Sequence, residues 1–132
     1  MFNSPEATTA ARRKYCLLTD DSPNIRKIVR RLLEPLNVEI DEAENGQVAL
    51  EKCLQRMPDV ILLDWTMPVR NGREFIVALR GLPGGATPRV VFCTSECSVD
   101  HIRQAIGSGA DDYLIKPFDA AMLRAKLDVL PA

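Results

Sequence analysis

The sequence predicts an α/β fold, a doubly wound five-stranded parallel sheet with five helices. Two observations predict it. Five short apolar runs alternate with five amphipathic stretches, the pattern of a parallel sheet covered by helices on both faces. The central runs, Val60-Ile61-Leu62-Leu63 and Val90-Val91-Phe92-Cys93, are apolar at every position, as strands buried on both faces must be. Right-handed crossovers leave few ways to wind such a sheet.

Residues 1–13 carry Ser, Thr, Pro and Ala with little to bury and are expected to form a disordered tail ahead of one domain over residues 14–130. Tyr15-Cys16-Leu17-Leu18 reads as a buried strand ending in Thr19-Asp20-Asp21. Ser22-Pro23 supplies an N-cap and a first-turn proline. Ile25, Ile28, Val29, Leu32, Leu33 and Leu36 then recur at helical spacing and predict one buried stripe, which Pro35 closes. Val38-Glu39-Ile40-Asp41-Glu42 alternates, as an edge strand with one wet face does. Asn45-Gly46 opens a second helix to about Arg56. A third helix carries Phe75, Ile76 and Leu79 and ends at Gly81 with Pro83-Gly84-Gly85. Strand four stops at Thr94-Ser95, and Val99, Ile102 and Ile106 mark a fourth helix closed by Gly107 and Gly109. Tyr113-Leu114-Ile115 is a fifth strand stopping at Lys116-Pro117, and the last helix, from Ala120 to Leu130, presents Leu123, Leu127 and Leu130.

At 132 residues the chain has the size of one domain. A net charge of −1 gives no reason to expect a polyanion partner, so direct DNA binding is not expected. The longest apolar run falls far short of a membrane span, and the polar N-terminus lacks a signal core. Of four cysteines, Cys16 and Cys93 fall in apolar strands and Cys53 on a helix, which reads as reduced thiols in a cytoplasm. Cys93, Cys97 and His101, spaced by four, do not match a common zinc pattern.

In parallel sheets of this kind, ligands bind beyond the carboxyl ends of the strands. Those ends supply Asp20 and Asp21, Asp64, Thr94 with Ser95, and Lys116. Three carboxylates on adjacent strands repel one another: at about 5 Å and an effective dielectric near 20, each pair costs roughly 3 kcal/mol. Such a site calls for a cation, and oxygen-only ligands with an open side suit Mg²⁺. A lysine opposite the acids balances them at rest and pairs with an incoming phosphoryl group, and a hydroxyl on Thr94 can bond a phosphoryl oxygen. Asp64 is then the candidate nucleophile, forming an aspartyl phosphate.

The stretches Thr19-Asp20-Asp21, Leu62-Leu63-Asp64-Trp65-Thr66-Met67-Pro68 with Asn71-Gly72, Val91-Phe92-Cys93-Thr94-Ser95 and Asp112-Tyr113-Leu114-Ile115-Lys116-Pro117-Phe118 together resemble the receiver domains of bacterial two-component response regulators. The resemblance covers about residues 14–130 and is closest in kind to single-domain chemotaxis receivers. It implies a flavodoxin-like sheet of order 2-1-3-4-5. It also implies that Asp64 accepts a phosphoryl group from a histidine kinase or histidine phosphotransfer protein. Asp21, Asp64 and the Thr66 carbonyl would ligate Mg²⁺ directly, and Asp20 mostly through water. Lys116 would pair with the phosphoryl group next to a cis Lys116–Pro117 bond, Thr94 and Tyr113 would form the switch pair, and Thr66 and Glu96 would tune hydrolysis. The output would be the face of helix four, strand five and helix five, docking a partner the sequence does not identify. The sequence ends at Ala132, directly after the last helix, which fits either a receiver acting alone or a fragment.

Three competing functions fit less well. Aspartate-nucleophile phosphohydrolases usually carry an acid two residues after the nucleophile, where this chain has Thr66. A flavodoxin-like cofactor binder lacks its phosphate loop here, since Asp20-Asp21 would repel a phosphate. A receiver that signals without phosphate is disfavoured because no key residue is missing. The basic residues Arg12, Arg13, Lys14, Arg26, Lys27, Arg30 and Arg31 read as a solvated face, with an acidic kinase surface or an anionic nucleotide as the alternative.

Overall fold

A computed structural model describes residues 13–65, 71–95 and 98–127. Of the expected tail, all but Arg13 lies outside the described residues. The elements run β1 (Tyr15–Thr19), α1 (Pro23–Leu33), a 3₁₀ turn (Glu34–Leu36), β2 (Glu39–Ala43), α2 (Gly46–Gln55), β3 (Val60–Asp64), α3 (Gly72–Arg80), β4 (Arg89–Thr94), α4 (Val99–Gly107), β5 (Asp112–Ile115) and α5 (Ala120–Leu127). All strand pairs are parallel, in the order β2-β1-β3-β4-β5. The predicted fold and the order implied by the resemblance are both found.

Strand alternation divides the core in two. Leu17, Ile61, Leu63 and Phe92 face Phe75, Ile76 and Leu79 of α3 and Ala49 of α2. Cys16, Leu18, Leu62 and Val91 face Val29 and Leu33 of α1 and Leu123 and Leu127 of α5. Every residue of β3 is buried, because this strand is central and has a helical layer on each side. Burial of such side chains, at about 25 cal/mol per Å² of apolar surface, is the main force holding the helices to the sheet.

Local signals set the helix ends. The Ser22 hydroxyl accepts from the Ile25 amide with Pro23 in the first turn, and Pro35 lies in the 3₁₀ turn that ends α1, followed by Asn37 in the left-handed region. Gly85 has no alternative: a Cβ there would lie 1.8 Å from the Leu79 carbonyl oxygen. The Arg80 guanidinium fixes the same corner, donating to the carbonyls of Gly85, Pro88 and Gly109.

Three apolar positions depart from the predicted stripes. Ile28 on α1 is 54% exposed, and Val99 and Ile106 on α4 are 64% and 41% exposed. Spacing identifies a helix but not how far round its circumference the sheet reaches. α4 rests on Ala105, with Ile102 half-buried, so its larger flanking residues point to solvent. Among the described residues, no helix is long and apolar enough to cross a membrane.

Candidate functional site at the carboxyl edge of the sheet

The loop leaving β1 and the last residue of β3 bring Asp20, Asp21 and Asp64 together: one carboxylate oxygen from each lies within 4.8 Å of the others. Asp20 is 4% and Asp64 9% exposed, whereas Asp21 faces solvent. Asp20 is held tightly. Its amide donates to the Ala43 carbonyl, its Oδ1 accepts from the Ser22 amide at 2.9 Å, and Arg26 Nη1 donates to its carbonyl at 2.6 Å. The floor is apolar, with Ile25, Val29, Leu62 and Phe118 lining the pocket beside Asp20, Asp64 and Lys116.

Lys116, one residue past β5, reaches across the cluster. Its Nζ lies 3.3 Å from Asp20 Oδ2 and 3.5 Å from Asp64 Oδ1, and its amide donates to the Thr94 carbonyl. Burial alone would lower the lysine pKa, but the Asp64 and Asp20 carboxylates outweigh it and the net shift is upward; the ammonium stays charged across the neutral range. Three carboxylates against one ammonium leave a formal charge of −2. All the donors are hard oxygens and the exposed Asp21 leaves an open side, so the residues fit a divalent cation of the magnesium type. The Lys116–Pro117 bond is cis, as the resemblance implies.

Thr94 ends β4, 6% exposed, with Oγ1 3.4 Å from His101 Nε2. Tyr113 lies on β5 opposite Phe92 in the register. It is half-buried, its ring centroid 6.0 Å from that of Phe92 and Lys126 Nζ 4.8 Å over its ring. The proposed switch pair is thus on neighbouring strands with the Phe92 ring beside Tyr113. Trp65 follows Asp64 with its ring 5.2 Å from Phe92. Its carbonyl accepts from the amide of Gly72, where a Cβ would lie 2.7 Å from the indole. Asn71 caps α3 in a reciprocal capping box with Glu74, which accounts for the Asn71-Gly72 pair. Thr66 and Glu96, named above as tuning residues, lie outside the described residues, as does Cys97.

Sequence reasoning missed two contributors. Arg26 belongs to the basic face that the sequence marks as solvated, yet it binds the Asp20 carbonyl and Glu42. Arg30 from the same face also pairs with Glu42. His101, which the sequence offers only against a zinc pattern, has one available signal: its place in the first turn of the helix that follows β4. Cys16, Cys53 and Cys93 are free and buried, and burial pushes the Cys93 thiol, behind the site, up to about 12.

A doubly wound parallel sheet with an acidic, lysine-bridged pocket at its carboxyl edge defines a class of phosphoryl-accepting signalling domains. The family model described as response regulator receiver domain matches residues 16–128, and the chain belongs to that family. It is 37% identical over 120 residues to the chemotaxis protein CheY of Halobacterium salinarum, covering 90% of this chain and 98% of that one. It is 39% identical over 112 residues to the transcriptional regulatory protein ResD of Bacillus subtilis, covering 83% of this chain but only 45% of the relative. The solved structure of chemotaxis protein CheY4 of Vibrio cholerae superposes with a TM-score of 0.84 at 32% identity, covering 90% of this chain and all of that one. The chain is a phosphoacceptor receiver of two-component signalling rather than a metabolite phosphohydrolase, and the family acts as a switch.

Proposed function

We propose that Asp64 is the phosphoacceptor and that Asp20, Asp21 and Asp64 hold a Mg²⁺ ion, with the Thr66 carbonyl as a further ligand. The single observation that carries this is the residual charge of −2 on three converging carboxylates, of which Lys116 bridges Asp20 and Asp64. The metal would supply charge neutralisation at the transferring phosphoryl oxygens. Asp64 Oδ attacks the phosphorus of a phosphohistidine on a histidine kinase or phosphotransfer protein. The O–P bond forms as the donor P–N bond breaks, and the imidazole departs with its electron pair. Lys116 pairs with one phosphoryl oxygen and the Thr94 hydroxyl with another, so positioning and electrostatics carry the transfer.

The phosphorylated Asp64 draws Thr94 toward it, and Tyr113 rotates inward behind Thr94. This shifts the population of two arrangements of the α4–β5–α5 face. The exposed Val99, Ile106 and Met122 on α4 and α5 support an apolar docking surface there. Residues 14–130 form the receiver unit, with Thr66 and Glu96 tuning hydrolysis, and reduced thiols suit a cytoplasmic setting.

Acetyl phosphate is expected to label the protein only when Mg²⁺ is present, and Asp64→Asn to abolish labelling. Labelling of Asp64→Asn at the wild-type rate would overturn the assignment. Repeated turnover on simple phosphate esters would favour hydrolysis over signalling.

A further inference from the structure

His101 is the only histidine of the chain, and it belongs to no part of the phosphoacceptor pocket. The third residue of α4, it is fixed by the helix start, where the Ser98 hydroxyl accepts from its amide at 3.1 Å. Its half-buried ring meets Trp65 edge-on, centroids 6.1 Å apart at 86°, and Phe92 at 6.2 Å and 67°. This seating directs Nε2 toward Thr94, 3.4 Å from its Oγ1. Either neutral tautomer makes this contact, since a hydroxyl both donates and accepts.

We infer that His101 is a positioning residue that holds the Thr94 hydroxyl in the resting arrangement, so that Thr94 must leave the imidazole to reach a phosphoryl group on Asp64. The inference rests on the phosphoacceptor reading above. A threonine hydroxyl moves between staggered χ1 wells, and a hydroxyl engaged by Nε2 in one well is not equally available in another. Every increment by which His101 stabilises the resting well is subtracted from the stability of the phosphorylated one. Because the imidazole is carried on α4, release of Thr94 also frees a side chain on the helix whose exposed Val99 and Ile106 flank the output face. His101 abuts Phe92, and Phe92 abuts Tyr113. The same histidine therefore touches both ends of the switch through named rings, and coupling measurements decide whether that contact is energetic.

The contact is long for a hydrogen bond, so the effect is a matter of a few fold. The test uses the full chain with Mg²⁺ and beryllium fluoride as the phosphoryl stand-in. His101→Phe keeps a ring against Trp65 and Phe92 but removes the polar edge; it is expected to bind beryllium fluoride roughly two- to fivefold more tightly than wild type. His101→Gln keeps a polar group within reach of Thr94 and is expected to restore near wild-type affinity. In a Thr94→Val background, His101→Phe should have no further effect. Unchanged or weaker binding by His101→Phe would overturn the inference, and so would His101→Gln tightening as much as His101→Phe, since that assigns the effect to packing. A second readout needs no ligand: the Nε2 resonance of the sole histidine should shift on Thr94→Val, and an unmoved resonance would also overturn it. If wild type itself binds no beryllium fluoride with Mg²⁺, the phosphoacceptor reading is what fails, and the imidazole resonance alone decides the His101–Thr94 restraint.

Discussion

Two groups of three acids lie on this sheet, and they are built on opposite plans. Along the β2 edge, Glu39 pairs with Arg56, Asp41 with Lys52, and Glu42 with both Arg26 and Arg30 at 2.9 and 2.8 Å. Three carboxylates there meet four cations, all carried by the flanking helices α1 and α2 except Arg56, which caps α2. At the carboxyl edge, Asp20, Asp21 and Asp64 converge, and Lys116 pairs with Asp20 and Asp64 together. Each edge acid has a partner of its own, and Asp41 and Glu42 have their pKa values lowered because those partners outweigh the cost of burial. The contrast teaches that acid count does not mark a site; an unbalanced charge on convergent, partly buried oxygens does.

The largest expected difference is in the response to magnesium. A ligand that binds only the folded state stabilises it by about 2.7 kcal/mol at roughly a hundredfold excess over its Kd. Wild type should gain on that order in urea unfolding when Mg²⁺ is added, Glu42→Gln should gain as much, and Asp64→Asn should gain almost nothing. Equal magnesium stabilisation of Asp64→Asn and wild type would break the comparison.

Without a divalent ion the two groups should answer neutralisation with opposite signs. Asp21 is exposed, so its repulsion from the other two carboxylates is softened by water, and relieving it is worth about 1 kcal/mol. Asp21→Asn is therefore expected to raise the urea midpoint of the metal-free protein while weakening its response to Mg²⁺, the usual trade of stability against function at a site. A lower midpoint in chelator would show that Asp21 serves the fold.

Most of this arrangement was legible in the residues. Five apolar runs gave the strands, and because a parallel sheet delivers strand ends to one edge, Asp20, Asp64, Thr94 and Lys116 could be brought together before any coordinates. Ser22, Pro35 and Asn45 act locally, so their roles were readable too. What escaped depends on the rotation of helices about their axes. Periodicity marks Ile28, Val99 and Ile106 as members of a stripe, but the width of sheet beneath each helix decides which members it covers. The same blindness hid Arg26, whose position on a basic face says nothing of a carbonyl six residues earlier in the chain. It also hid His101, whose partner is set by the seating of α4 on Trp65 and Phe92.

The smallest effect sharpens the edge side of the comparison. Burial raises the Glu42 carboxyl pKa, but hydrogen bonds from Arg30 and Arg26 outweigh it and leave the pKa below its ordinary 4.5. A group whose folded pKa is depressed adds stability above its unfolded value and loses it as the pH falls through the folded one. Glu42 is about one-third exposed, so water and salt reduce the gain to about 0.5–1 kcal/mol. Glu42→Gln should therefore be less stable than wild type by that amount at pH 7, and the gap should close progressively as the pH falls below 4.5. A gap that persists unchanged at pH 3 would mean that Glu42 acts through packing and not charge, and the β2 edge would no longer be the balanced counterpart of the acidic pocket.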